Sequence, residues 1–337
     1  MNKIFYILVL MININLLSAK EMQKIVWPSA PDEPRVEYVS SIKNSKDLDI
    51  KKGFFTKIFN FVFGDDEKSL SAPFGLHTDK NRIYITDVVN KTVHVYDKKD
   101  NETILIEGSD NELFLYPIDV VSDNYGNIYV SDSMNSKIFV FEEDGDFSHT
   151  IRPPTLQRPV GIAISVDNKK LYIVDAVSSQ IHVTSLKGKF LYSIGKRGFG
   201  NGEFNRPTFI DIGSDGKLYV TDSMNHRVQI LESDGKFIRK FGQVGQDIGS
   251  FGSPKGISVD NNDNIYVSDT MFNVIQVFNQ QGELLLVFGN LGNGKGEFGL
   301  VEDLSITHDN MLLVADTNNK RVQLFKLLNP PGRGNIK

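Results

Sequence analysis

The chain has 337 residues, 40% of them apolar and 23% charged, enough to bury a sizeable core and unlike a disordered sequence. Its formal net charge of −5 lacks the basic excess of nucleic-acid binders, so no nucleic-acid partner is expected. With no cysteine, the chain has no disulfides, thiolate metal sites, cysteine nucleophiles or cysteine-linked lipid anchors; 28 glycines beside a single tryptophan favour short strands and tight turns.

The N-terminus reads as a secretion signal over residues 1–19. Lys3 supplies the positive start, Ile4 to Leu17 the apolar stretch, and Leu17-Ser18-Ala19 a small-residue cleavage site. Asn13 and Asn15 interrupt the apolar run, which is short for a membrane span of ~20 residues. Left uncleaved, the segment would associate the chain with a membrane. The mature protein is expected outside the cytoplasm, periplasmic or secreted. Residues 20–34 read as a linker.

One pattern then recurs along the chain. Tyr84-Ile85-Thr86-Asp87 is followed by copies ending at Asp132, Asp175, Asp222 and Asp269, and by Leu313-Val314-Ala315-Asp316. These aspartates are spaced 45, 43, 47, 47 and 47 residues apart. Each repeat opens on a Pro-x-Gly-like entry, as at Pro73-Phe74-Gly75 and Pro254-Lys255-Gly256. An apolar run, an Asp/Asn/Gly turn, the Tyr-containing strand, an alternating strand such as Arg227-Val228-Gln229-Ile230-Leu231 and a strand ending in Phe-Gly follow. Period-two alternation between turn residues means strands, four to a repeat. Six such sheets predict an all-β, six-bladed β-propeller of antiparallel blades over residues 35–328, with 329–337 as a tail.

The runs Asp222-Ser223-Met224-Asn225-His226-Arg227-Val228-Gln229 and Asp316-Thr317-Asn318-Asn319-Lys320-Arg321-Val322-Gln323 resemble NHL repeats. The resemblance spans about residues 73–326 and weakens where Thr92 and Gln180 replace the basic residue. WD40 and kelch patterns do not match, since Trp27 lies outside every repeat and no Gly-Gly pair recurs. The sixth copy ends at its third strand. Residues 35–42 alternate like the missing fourth strand and are expected to close the ring, as the NHL resemblance also implies.

Sixfold repetition marks the recurring aspartates as turn devices, because Asp accepts backbone N–H groups in turns and a catalytic site needs different residues at different blades. Asp132, Asp222 and Asp316 each have a basic residue five positions on. The glycine-rich loops at 195–202 and 289–296 connect strands of neighbouring blades, so they are not phosphate cradles, which need a helix behind them.

Aligning the innermost strands gives a column of Gly75, Asp119, Gly161, Phe209, Gly256 and Asp303, with His77 and Asp211 in the column two residues on. Blades six, one and two adjoin, so Asp303, His77 and Asp119 should approach one another near the channel. Imidazole with carboxylates can hold a divalent cation or move protons. The resemblance implies lyases with histidine-bound metal and calcium-binding lactonases among related propellers. Solvated channel residues with no cofactor are the expectation here, because only His77 falls in the column.

The turns between second and third strands place Val89, Met134, Val177, Met224, Met271 and Phe272 at tips of one face. Either these side chains tuck onto neighbouring blades, or they form an adaptable binding surface. Phe54 to Phe63 forms an apolar helix interrupted only by Thr56, Lys57 and Asn60, inserted toward the same face. It must be buried as a lid, or dock on a partner or membrane. The reading that results is a monomeric scaffold binding a protein or peptide through its loop face, with a metal-dependent lyase or lactonase at the channel as the alternative.

Overall fold

The computed structural model describes residues 24–48, 68–167 and 169–328. The signal at 1–19, the helix at 54–63 and the tail at 329–337 lie outside these residues. Six sheets form a closed ring, and the innermost strands of successive blades pack side by side around a channel. Blade one runs Pro73–Thr78, Arg82–Asp87, Thr92–Asp97 and Glu102–Ile106; blades two to five repeat this antiparallel order. No α-helix occurs among the described residues, only 3₁₀ turns such as Ser223–Asn225.

The ring closes through blade six. Strand Val36–Ile42 pairs antiparallel with Arg321–Leu327, with Tyr38 opposite Phe325 and Ile42 opposite Val322. Inside the expected linker, Val26–Trp27 adds a short fifth strand, pairing with Val36 and Glu37. The Trp27 ring packs 5.6 Å from Phe288 and 5.9 Å from Phe325, so the tryptophan outside the repeats shields the blade-six seam. A further small ribbon, Gly108–Ser109 with Glu112–Leu113, follows blade one.

Within each blade the second and third strands are buried, because their alternate side chains face the sheets on either side. Phe204, Phe251 and Phe298 descend from three equivalent inter-blade loops and are fully buried. Burying each such ring is worth roughly 2–3 kcal/mol. The tyrosines of the repeat are buried too, and their hydroxyls find partners at the blade ends, as Tyr84 does at Asp79 (2.7 Å).

The recurring aspartates are the joints of this frame. Asp132 accepts the N–H groups of Leu115, Met134 and Asn135 at 2.7, 3.0 and 3.0 Å, tying the incoming loop to the turn after the second strand. Arg227 Nε donates to Asp222 at 2.8 Å and Arg321 Nε to Asp316 at 2.7 Å, while their other nitrogens hold loop carbonyls such as those of Glu203 and Glu297. Blade two differs from the expectation: Lys137 reaches Glu112 of the ribbon at 2.6 Å instead of Asp132. In blade three His182 takes the place of the Gln229-type residue and lies 3.4 Å from Asp175.

Candidate functional site

Asp87, at the end of a second strand, pairs with Pro73, at the start of the first. The turns between second and third strands therefore share one face with the inter-blade loops, and this is the loop face. The turns between first and second strands and those between third and fourth strands form the opposite face.

Around the channel, odd and even blades use different devices. Gly75, Gly161 and Gly256 lie on odd blades, and a Cβ there would meet the next blade's backbone: 2.7, 2.6 and 2.6 Å from the Cα atoms of Asp119, Phe209 and Asp303. Even blades reach forward with carboxylates. Asp119 accepts from Ile162 N–H (2.8 Å), Asp211 from Val259 N–H (2.8 Å) and Asp303 from Leu76 N–H (2.9 Å). Every even blade is thus fastened to the following odd blade by one carboxylate, buried at Asp119 and Asp303 and partly buried at Asp211.

Residues His77, Asp119, Asp211 and Asp303 line one cavity of about 240 Å³, with Ser122 and Ser258 among the other lining residues. The cavity extends toward the opposite face, where it reaches Asn124, Ser165 and Val166. Toward the loop face, Phe74 of blade one and Phe209 of blade four stack across the channel at 6.4 Å, with Tyr116 at 6.4 Å from Phe74. The channel is therefore plugged by aromatic rings on the loop side.

Burial pushes the Asp119 carboxyl up to about 7, and the charge of Asp211 adds to the effect. Asp303 is pushed well above the usual carboxylate range by burial and by Asp119, and Asp211 rises through burial. His77 is lowered to about 4 by burial, against the attraction of Asp79, so its imidazole is neutral near pH 7. Its Nε2 lies 3.1 Å from Ser122 Oγ. The structure thus brings His77, Asp119 and Asp303 into one cavity while engaging each elsewhere. Both oxygens of Asp119 already accept backbone N–H groups, from Val120 and Ile162. Among the described residues no three His, Asp or Glu side chains are arranged to hold a metal ion. Each of these donors is thus engaged within the frame. Asp211 belongs to the channel group as fully as Asp119. Its place in the His77 column was the signal for it.

On the loop face, Val89, Met134, Met224 and Met271 stand 65, 67, 55 and 64% exposed, and Val177 37%. Phe272 behaves otherwise: its ring lies half-buried over Gly252. The inter-blade loops add Phe199, Val244, Ile248 and Leu291, all exposed and all unsignalled by the repeat motif itself.

Residues 204–231 match the NHL repeat family, and residues 160–215 match a family described as a 6-bladed beta-propeller. With six blades in one closed ring, the chain is a six-bladed β-propeller, and its fourth blade carries the stretch that matches the NHL repeat. No curated protein matches it in sequence. A streptogramin B lyase structure is similar in fold, with 15% identity over 77% of this chain and 94% of that chain and a TM-score of 0.58. A catalytically inactive virginiamycin B lyase from Staphylococcus aureus with quinupristin is 16% identical over 76% of this chain and 95% of that one, at a TM-score of 0.57. A protein of unknown function from Bacteroides thetaiotaomicron reaches a TM-score of 0.61 at 14% identity, over 87% of this chain and 76% of that chain. At these identities the likeness is one of fold.

Proposed function

We propose that this propeller is an extracytoplasmic, monomeric binding scaffold that holds a protein or peptide on its loop face. The observation that carries the reading is the exposure of Val89, Met134, Met224 and Met271 at turn tips from separate blades, on one face of a rigid ring. Isolated apolar residues on a surface need no explanation, but a set gathered on one face favours a contact surface, and methionine adapts its shape to a partner. Backbone bonds to the recurring aspartates hold those tips in place, so the surface is ordered before anything binds. The test is affinity capture from an extracytoplasmic fraction. Wild type should retain a stoichiometric protein or peptide that the combined Met134→Asp, Met224→Asp and Met271→Asp variant loses at unchanged melting temperature. Equal retention by both would overturn the reading.

The cavity favours a second reading, an enzyme of the lyase or lactonase kind working at the channel, in line with the streptogramin B lyase of similar fold. The engagement of Asp119, Asp211 and Asp303 with backbone N–H groups argues for a frame role instead. Metal analysis of the purified protein separates the two. A divalent ion near one per chain, released by His77→Ala or Asp119→Asn, would support the enzyme.

A further inference from the structure

Among the described residues the two faces of the ring hold their charged groups differently, and the opposite face mixes both signs, as where Lys169 pairs with Asp167 and Lys217 with Asp215. The turns of the opposite face hold acidic groups such as Asp144, Asp146, Asp167, Glu232 and Asp234. On the loop face most acidic groups are already engaged: Glu112 with Lys137 at 2.6 Å, Glu203 with Lys196 at 3.3 Å, and Glu297 with the Gly294 N–H at 2.9 Å. Among the described residues Asp110 and Asp247 are exceptions. The cations at the centre of this face are placed by the repeat itself. The residue just before each innermost strand is Ala72, Tyr116, Arg158, Arg206, Ser253 or Leu300 in blades one to six. Tyr116, Arg158 and Arg206 therefore stand on three consecutive blades around the channel rim. Arg158 and Arg206 are exposed, and neither guanidinium has a partner among the described residues. Below the rim lies the Phe74–Phe209 stack.

Resting on the loop-face reading, we infer that the partner presents an acidic segment with apolar side chains interspersed. Its carboxylates meet Arg158 and Arg206, whose planar forks bind a carboxylate in two parallel hydrogen bonds. Its apolar side chains lie on Tyr116 and outward over Met134 and Met224. A basic segment is repelled by the same two guanidiniums, so the pair sets selectivity as well as affinity.

Three fluorescein-labelled short peptides of alternating sequence test this against the mature full chain by anisotropy: Glu/Leu, Gln/Leu and Lys/Leu. The Glu/Leu peptide should bind more tightly than the Gln/Leu peptide and the Lys/Leu peptide least. Its affinity should fall roughly tenfold when salt rises from about 0.05 M to about 0.5 M, through screening. Arg158→Glu with Arg206→Glu should weaken it roughly tenfold or more at unchanged melting, and the Gln pair by less. Equal binding of Glu/Leu and Gln/Leu, both lost in the Met134→Asp and Met224→Asp variant, would overturn the acidic partner while leaving the loop face as a peptide site. Binding of none of the peptides would overturn the inference, and so would capture by phosphatidylglycerol vesicles without binding of the Glu/Leu peptide; the vesicle result would assign the face to an anionic membrane and overturn the peptide reading with it.

Discussion

The loop face and the opposite face are built by the same repeat and yet differ in nearly every chemical respect. The loop face is sealed at the channel by Phe74 and Phe209, carries exposed apolar tips, and has at its centre the exposed Arg158 and Arg206, whose guanidiniums have no partner among the described residues. The opposite face opens into a carboxylate-lined cavity ringed by turns rich in acidic residues and lysines, with Tyr125 and Val166 among its exposed large hydrophobics. The physical source of the difference is the turn chemistry. Turns between first and second strands are tight Asx turns, in which residues such as Asp123 and Asp260 accept their own backbone, and this selects acidic and glycine residues. Loop-face turns use a buried aspartate in the same way, but that aspartate also accepts N–H groups of the incoming inter-blade loop, as Asp132 does from Leu115, which ties the turn to the frame and leaves its tip free to vary. A frame that supplies the hydrogen bonds lets the tip residues be chosen for contact.

The comparison depends first on the ring being closed. A chain beginning at Ile50 loses Val36–Ile42 and Val26–Trp27, exposing the Arg321–Leu327 edge, and should aggregate or fail to fold where a chain beginning at Lys20 is monomeric in size-exclusion chromatography. Next in size is the aspartate beneath a loop-face turn. Asp222→Ala leaves Arg227 buried without its partner and should cost about 3–5 kcal/mol in denaturant unfolding. A cost under about 1 kcal/mol would show that the tips of this face do not depend on the frame.

The channel gives a smaller effect with a definite sign. Folded Asp119, Asp211 and Asp303 bind protons more tightly than unfolded carboxylates, whose ordinary pKa is about 4. Stability from these groups is therefore greatest below that range and is lost as pH rises through the folded value, about 7 for Asp119. His77 and His94, both lowered to about 4, act oppositely, losing stability as pH falls from about 6.5, so the clean window lies above pH ~6.5. Between pH ~6.5 and ~8 the wild type should lose about 1–2 kcal/mol, or a few degrees of melting temperature, and Asp119→Asn should flatten that slope. A parallel slope in the variant would remove Asp119 from the account. The smallest stability effect belongs to the tips: Met134→Asp, Met224→Asp or Met271→Asp should each change stability by no more than about 0.5 kcal/mol. A larger loss would mean that the tips are packed, not presented.

Much of the frame was legible in the residues. The Tyr-x-x-Asp recurrence gave the blade count, and the alternation at 35–42 gave the closing strand, because period-two patterning and strand-edge chemistry are local properties. The column that contains Asp119 and Asp303 was legible too, as was its meeting with His77 in the channel. The engagement of these carboxylates with Ile162 and Leu76 was not, since those amides lie on neighbouring blades 43 and 227 residues away. The fate of Lys137 was hidden for a similar reason: Glu112 belongs to a ribbon that no other repeat carries.

By itself, the sequence determined the number of blades, the strand order within each and the identity of the turn devices, all of which follow from side-chain periodicity and turn propensity. Only the tertiary structure decided which end of the channel is open, because Phe74 and Phe209 meet across the ring from blades one and four. It alone placed Trp27 over the blade-six seam. Curvature and ring closure convert equivalent repeat positions into neighbours, and no local pattern records which of them will touch.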